Sequence, residues 1–199
     1  MFKIEEDDKN LLFLQKSYMG KRRYAILRGG TRSGKTYAAL RFLLLAGLAG
    51  AYRLASVVAY SVPHLRRGAQ RDFENILSKL KALLVEYKAV ERRYILPTGA
   101  EIEFFSADDS AKLRGAQRDW LFVNEANLID LESFQELDVR TRSFVILDFN
   151  PVGRFWLNDL FESMHIDLEK HTCVSTYRDN KYLSEEQKKA IEARKEIAE

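Results

Sequence analysis

The sequence predicts an α/β fold: a mostly parallel sheet with helices on both faces and a β-hairpin inserted in it. Three observations predict it. Continuous apolar runs of strand length alternate with longer segments of helical spacing. One strand–turn–helix junction carries a glycine-rich turn, Gly29-Gly30-Thr31-Arg32-Ser33-Gly34-Lys35-Thr36. The chain has 199 residues, 46% of them hydrophobic, which is enough for one α/β domain with a sizeable core.

The elements follow in order. Leu11-Leu12-Phe13-Leu14 reads as a short helix ahead of the first strand, residues 24–27. Residues 37–49 form a helix with Leu40, Leu43, Leu44 and Leu48 on one side. Residues 54–60 are an unbroken apolar run, as in a strand buried on both faces. From residue 70 to 87, Phe73, Ile76, Leu77, Leu80, Leu83 and Leu84 recur at helical spacing and predict one amphipathic helix. Residues 93–96 and 101–105 flank Pro97-Thr98-Gly99-Ala100, a hairpin with a four-residue turn. A short helix over 108–113, a strand over 120–123, a helix over 131–139 and a strand over 144–147 come next. A helix over 155–164 and a strand over 172–176 precede a charged helix over 184–198, opened by Ser184 as N-cap with Glu185, Glu186 and Gln187 in its first turn.

The composition excludes some classes. A net charge of +3 does not suit a general polyanion-coating protein, although Lys21-Arg22-Arg23, Arg66-Arg67 with Arg71, and Arg92-Arg93 are local basic clusters. The apolar run 42–51 is too short to span a bilayer, and the acidic N-terminus is no signal peptide. The single cysteine, Cys173, cannot form an internal disulfide, which fits a reducing cytosol. His64, His165 and His171 lack metal-ligand spacing and read as ordinary core or surface histidines.

The glycine-rich turn fills every fixed position of the phosphate-loop pattern G-x-x-x-x-G-K-[ST]. Small residues let successive backbone N–H groups curl around a phosphate chain, and the following helix turns its positive end to the same anion. Lys35 reaches the β- and γ-phosphates, and the Thr36 hydroxyl is placed to ligate magnesium. ATP with Mg²⁺ is the expected ligand.

Hydrolysis also needs a carboxylate at a neighbouring strand tip. Trp120-Leu121-Phe122-Val123-Asn124-Glu125 offers Glu125. Asn124 stands where such enzymes usually carry the Asp of the magnesium shell; its carbonyl could still accept from a magnesium-bound water. At a third strand tip, Leu147-Asp148-Phe149-Asn150-Pro151, the Asn150 amide suits sensing of the γ-phosphate. The hexapeptide Arg67-Gly68-Ala69-Gln70-Arg71-Asp72 recurs letter for letter as Arg114-Gly115-Ala116-Gln117-Arg118-Asp119, with flanks that do not align.

These residues together resemble the ATPase domain of the bacteriophage terminase large subunit. The resemblance rests on the loop 29–36, Lys112-Leu113-Arg114-Gly115, Leu121-Phe122-Val123-Asn124-Glu125-Ala126, Phe149-Asn150-Pro151, and Thr176-Tyr177-Arg178-Asp179-Asn180. It implies a RecA-like, ASCE-type P-loop ATPase over 24–180, preceded by a helical segment over 1–23 and followed by a linker helix over 181–199. It further implies a motor that pumps double-stranded viral DNA into a procapsid at the portal vertex in the infected host's cytoplasm. Its partners would be the portal protein, the small terminase subunit and further copies of itself in a ring, most often of five. The nuclease domain of such proteins is expected to be missing from these residues, so no nuclease activity is expected. By position, Arg32 would sense or stabilise the γ-phosphate, Glu125 would be the catalytic carboxylate, Asn150 would couple hydrolysis to motion, and Arg114 would reach a neighbouring subunit's site. Gln15, Tyr18 and Tyr177 are candidates for the adenine side. Among the basic clusters, Arg66-Arg67 is preferred for DNA phosphates. A helicase-like ATPase, a kinase and a nucleotide-switched binding module are the alternatives.

Overall fold

The computed structural model describes residues 8–80, 83–115, 117–151 and 153–196. Its elements in chain order are α1 (Lys9–Met19), β1 (Tyr24–Gly29), α2 (Lys35–Leu48), β2 (Leu54–Ala59), α3 (Val62–Leu65), a π-helical turn (Arg66–Gln70), α4 (Arg71–Ser78), β3 (Glu86–Lys88), β4 (Arg93–Ile95), β5 (Glu101–Ser106), α5 (Ser110–Leu113), β6 (Arg118–Val123), a 3₁₀ turn (Ala126–Leu128), α6 (Leu131–Val139), β7 (Thr141–Phe149), α7 (Trp156–Ser163), β8 (Thr172–Ser175), a second 3₁₀ turn (Tyr177–Asp179) and α8 (Glu185–Glu196).

The strands make one sheet in the order β3-β4-β5-β2-β6-β7-β1-β8. From β5 to β8 every pairing is parallel, while β3, β4 and β5 pair antiparallel. The loop strand β1 and the carboxylate strand β6 are not neighbours: β7 lies between them, pairing with both. That order decides which side chains meet at the strand tips.

Side chains alternate faces along each strand. Ala25 and Leu27 of β1, Trp120 and Phe122 of β6, and Phe144 and Ile146 of β7 join one core with α1, α2 and α4. Tyr24, Ile26, Leu121, Val123, Val145 and Leu147 join a second core with α6 and α7 on the opposite face. Burial on both faces explains why these strands read as unbroken apolar runs. Each such side chain contributes roughly 1.5–3 kcal/mol of transfer free energy. Cys173 is a buried free thiol whose ionisation burial discourages.

Two expectations change. The helix expected over residues 70–87 ends at Ser78, and Glu86–Lys88 is instead an outer strand whose Tyr87 stacks on Tyr94. Residues 81–82 lie outside the described residues. The apolar periodicity runs on, but Leu84 is exposed and Leu83 and Val85 pack on the core from irregular chain, so pairing with β4 wins over propensity. The helix around Leu11–Leu14 is longer than expected: Asp8 caps it by accepting from the Leu11 amide, and it runs to Met19. The Ser184 cap is a reciprocal box, with Gln187 N–H donating to Ser184 Oγ and Ser184 N–H donating to Gln187 Oε1. The end of the last expected helix, residues 197–199, lies outside the described residues.

Candidate active site at the strand tips

The glycine-rich turn closes between β1 and α2, and tertiary contacts hold it from both sides. Asn10 of α1 donates to the Ser33 carbonyl and Asn180 donates to the Arg32 carbonyl. A Cβ at Gly29 would sit 2.5 Å from the Ser175 carbonyl oxygen, so β8 approaches the loop too closely for any other residue. Gly34 begins α2 at φ +82°, where glycine is favoured. Arg32 takes the same left-handed region at φ +66°, a strained choice for a non-glycine residue.

Beyond the loop lies an open cleft of about 750 Å³. Residues 31–36 form its floor, Asn124, Glu125 and Asn150 come from the strand tips, and His64, Arg67 and Arg71 form the opposite wall. His64 belongs to α3, Arg67 to the π-helical turn, which is kinked at Gly68, and Arg71 to the start of α4.

Lys35 is buried to 7% exposure, and its Nζ donates to Asn150 Oδ1 at 2.8 Å. Thr36 Oγ1 donates to Asp148 Oδ2 at 2.5 Å. Asp148 is wholly buried and also accepts from Asn124 Nδ2 at 3.0 Å and from the Glu125 backbone N–H at 2.7 Å. Burial pushes its carboxyl above the ordinary carboxylate range, while Lys35, the Thr36 hydroxyl, the Glu125 amide and Asn124 pull it back. Glu125 sits in the left-handed region, φ +55° and ψ +58°, and its Oε2 meets His64 Nε2 at 2.5 Å. The strained backbone turns the Glu125 side chain out of the β6 alternation and toward the cleft wall.

The sequence-predicted residues therefore separate into two sets. Gly34, Lys35, Thr36, Asn124, Glu125, Asn150, Thr31, Arg32 and Ser33 all line one cleft. Gly29, Gly30, Gln15, Tyr18, Tyr177 and Arg114 do not line it. The Tyr18 ring packs against Trp120 and Phe144, near the opposite ends of β6 and β7, as part of an aromatic cluster. Phe144 lies six residues before Asn150, about 20 Å along the strand, so the Tyr18 ring packs well away from that strand tip. Tyr177 is buried, with its hydroxyl donating to Glu192. Arg114 is exposed just after α5. Asn124 lies at the site and offers its amide nitrogen to Thr36 and Asp148, with its carbonyl oxygen on the side of Gly68.

Two residues were missed. His64 is not an ordinary histidine, since it contacts Glu125; only the fold brings α3 against the β6 tip. Asp148 had a readable signal. It follows Phe144 and Ile146 in alternation, which puts it on the α2 face, and it is an acid inside an apolar strand.

Comparison with known proteins agrees with this architecture. The phage terminase large subunit family, Terminase_3, matches residues 21–198. Among solved structures, the large terminase of thermophilic bacteriophage D6E is similar at 17% identity and TM-score 0.75, covering 96% of this chain and 50% of that one. The same protein in complex with ADP matches at 18% identity and TM-score 0.74, covering 93% and 49%. The N-terminal domain of the DNA packaging ATPase from bacteriophage phi29 matches at 17% identity and TM-score 0.60, covering 86% of this chain and all of that one. At these identities the likeness carries the fold, and the chain spans about half the length of the D6E protein. A search of curated proteins finds no match. No helix among the described residues is long and apolar enough to cross a membrane. With the loop, the strand order and the matched span in agreement, the chain belongs to the phage terminase large subunit family.

Proposed function

We propose that this domain hydrolyses ATP to drive double-stranded DNA into a procapsid. The observation that carries the reading is the convergence of Lys35, Thr36, Glu125 and Asn150 on one open cleft at the strand tips. The D6E relatives solved with ADP and with ATP-gamma-S support it.

The residues divide the chemistry as follows. The loop amides and Lys35 bind the phosphate chain. Lys35 exchanges its Asn150 partner for phosphate oxygens, which makes Asn150 responsive to the γ-phosphate. Glu125 takes a proton from the attacking water, and His64 orients the carboxylate from the far wall. Arg32 offers charge beside the γ-phosphate. The Thr36 hydroxyl is a hard oxygen ligand suited to magnesium, which when bound neutralises charge between the β- and γ-phosphates. Exposed Arg114 is available to a neighbouring copy in a ring, where an arginine in trans is worth about 10³–10⁵ in rate.

The wider setting is proposed on family membership: a ring at the portal vertex in the host cytoplasm, with portal protein and small subunit as partners. The ATPase core would span 24–180, between a helical segment over 1–23 and a linker helix over 181–199. The preference for Arg66-Arg67 as the DNA grip narrows to Arg66, since Arg67 lines the nucleotide cleft; the contact would grip phosphates without reading bases.

The test is phosphate release from ATP with magnesium and no added acceptor, a condition under which a kinase stays silent. Glu125→Gln is expected to keep ADP affinity and to lower turnover about 10²–10⁴-fold, or roughly 3–5 kcal/mol of barrier. Wild-type turnover in that variant would remove Glu125 from the reaction.

A further inference from the structure

We propose that Asp148, at the tip of β7, holds the shell of the magnesium ion that enters with the nucleotide, the task that Asn124 leaves open on β6. The inference rests on the reading of the cleft as an ATP site.

The geometry supports it in four ways. First, the Asp148 carboxylate touches the loop residue that carries a metal-ligating hydroxyl, with Thr36 Oγ1 and Asp148 Oδ2 2.5 Å apart. A divalent ion taken up by that hydroxyl has this carboxylate beside it, and hard oxygens are the donors magnesium prefers. Second, the carboxylate is fully buried, yet among the described residues no lysine or arginine forms an ion pair with it. Lys35, the nearby cation, gives its Nζ to Asn150. The Lys35 charge acts on the carboxylate without a direct ion pair, hydroxyl and amide dipoles supply the rest, and a bound cation would complete the compensation.

Third, the orientation of Asn124 is dictated by its partner. Carboxylate oxygens accept hydrogen bonds, so the amide facing them at 3.0 and 3.3 Å must present N–H. The same nitrogen is the atom 3.4 Å from Thr36 Oγ1. Asn124 therefore acts as a donor that orients Asp148 and is not itself an oxygen donor toward Thr36. Fourth, strand order favours Asp148: β7 adjoins β1, while β6 is one strand further away.

The arrangement splits between two strands a pair of acids that the sequence pattern suggests should be adjacent. It also ties the metal side to the catalytic side, because the Glu125 backbone N–H donates to Asp148 Oδ1 at 2.7 Å. Removing the charge at Asp148 should therefore act on metal affinity before it acts on nucleotide affinity.

The experiment is binding of Mn²⁺ to the protein–ADP complex, read by electron paramagnetic resonance, alongside metal-free ADP affinity and a melting curve. Asp148→Asn is expected to leave metal-free ADP affinity unchanged and to weaken Mn²⁺ at least about tenfold. The reciprocal variant Asn124→Asp/Asp148→Asn, which returns one carboxylate to the same buried pair, is expected to recover most of that loss. A folded Asp148→Asn protein with wild-type Mn²⁺ affinity overturns the proposal. Should Asp148→Asn fail to fold, the reciprocal variant decides: wild-type-like Mn²⁺ affinity supports the assignment, and a tenfold loss overturns it. Failure of the wild-type chain to bind ADP at all would instead overturn the reading of the cleft.

Discussion

The two copies of Arg-Gly-Ala-Gln-Arg-Asp, residues 67–72 and 114–119, share six letters and almost nothing else. The first is a π-helical turn running into α4, and it forms a wall of the cleft. The second leaves α5 and enters β6. Gln70 is buried, donating to the hydroxyls of Tyr87 and Tyr94, whereas Gln117 is exposed and accepts from Arg142. Arg71 is exposed beside Asp72, whereas Arg118 is buried, with its guanidinium over the Phe105 ring and one N–H donated to the Leu137 carbonyl. Asp72 stays with its neighbour Arg71, whereas Asp119 accepts from the backbone N–H groups of Arg53 and Leu54 and so fixes the start of β2. Local sequence offers conformations; the surfaces packed against it choose among them.

The comparison can be broken by substituting equivalent letters. Arg118→Ala should have the largest effect, about 2–4 kcal/mol of stability lost in chemical denaturation, because it opens a cavity and removes one of the donors to the Leu137 carbonyl, leaving the Thr141 hydroxyl as the other. Arg118→Met, which fills the volume without burying charge, should lose much less. If both cost the same, the charge rather than the packing matters there. Burial holds the Arg118 guanidinium below its ordinary pKa, the mark of a cation kept in place by packing. Asp119→Ala should cost about 1.5–3 kcal/mol, since a carboxylate bonded to two backbone amides is lost. The equivalent change in the first copy, Arg71→Ala, should move stability by less than about 0.5 kcal/mol. Its effect should appear as weaker nucleotide binding, because Arg71 faces the cleft. A stability loss at Arg71 matching that at Arg118 would contradict the contrast.

Much of the fold was legible because the central strands are covered on both faces. Residues 24–27, 54–60, 120–123 and 144–147 read as strands because a sheet buried twice leaves few polar positions, Ser56 being the one within these runs. The phosphate loop was legible because its chemistry restricts residue type at fixed spacing. The outer sheet edge was less so. β3 carries no burial pattern, and the apolar spacing of residues 70–87 imitated a helix across an α4–β3 boundary. The packing of Tyr18 was not legible, because an aromatic near the loop in sequence joins Trp120 and Phe144 further down the strands. His64 was passed over because its partner is 61 residues away.

Sequence alone determined the α/β class, the glycine-rich turn of residues 29–36, the position of Glu125 just past β6 and the family, since each rests on contiguous residues whose chemistry or hydropathy admits few alternatives. Tertiary structure decided the rest. Placing β7 between β1 and β6 brought Asp148 against Thr36 and turned Asn124 into a donor, while pairing β2 with β6 set His64 against Glu125. Strand order is fixed by the packing of whole faces, and no window of neighbouring residues encodes it.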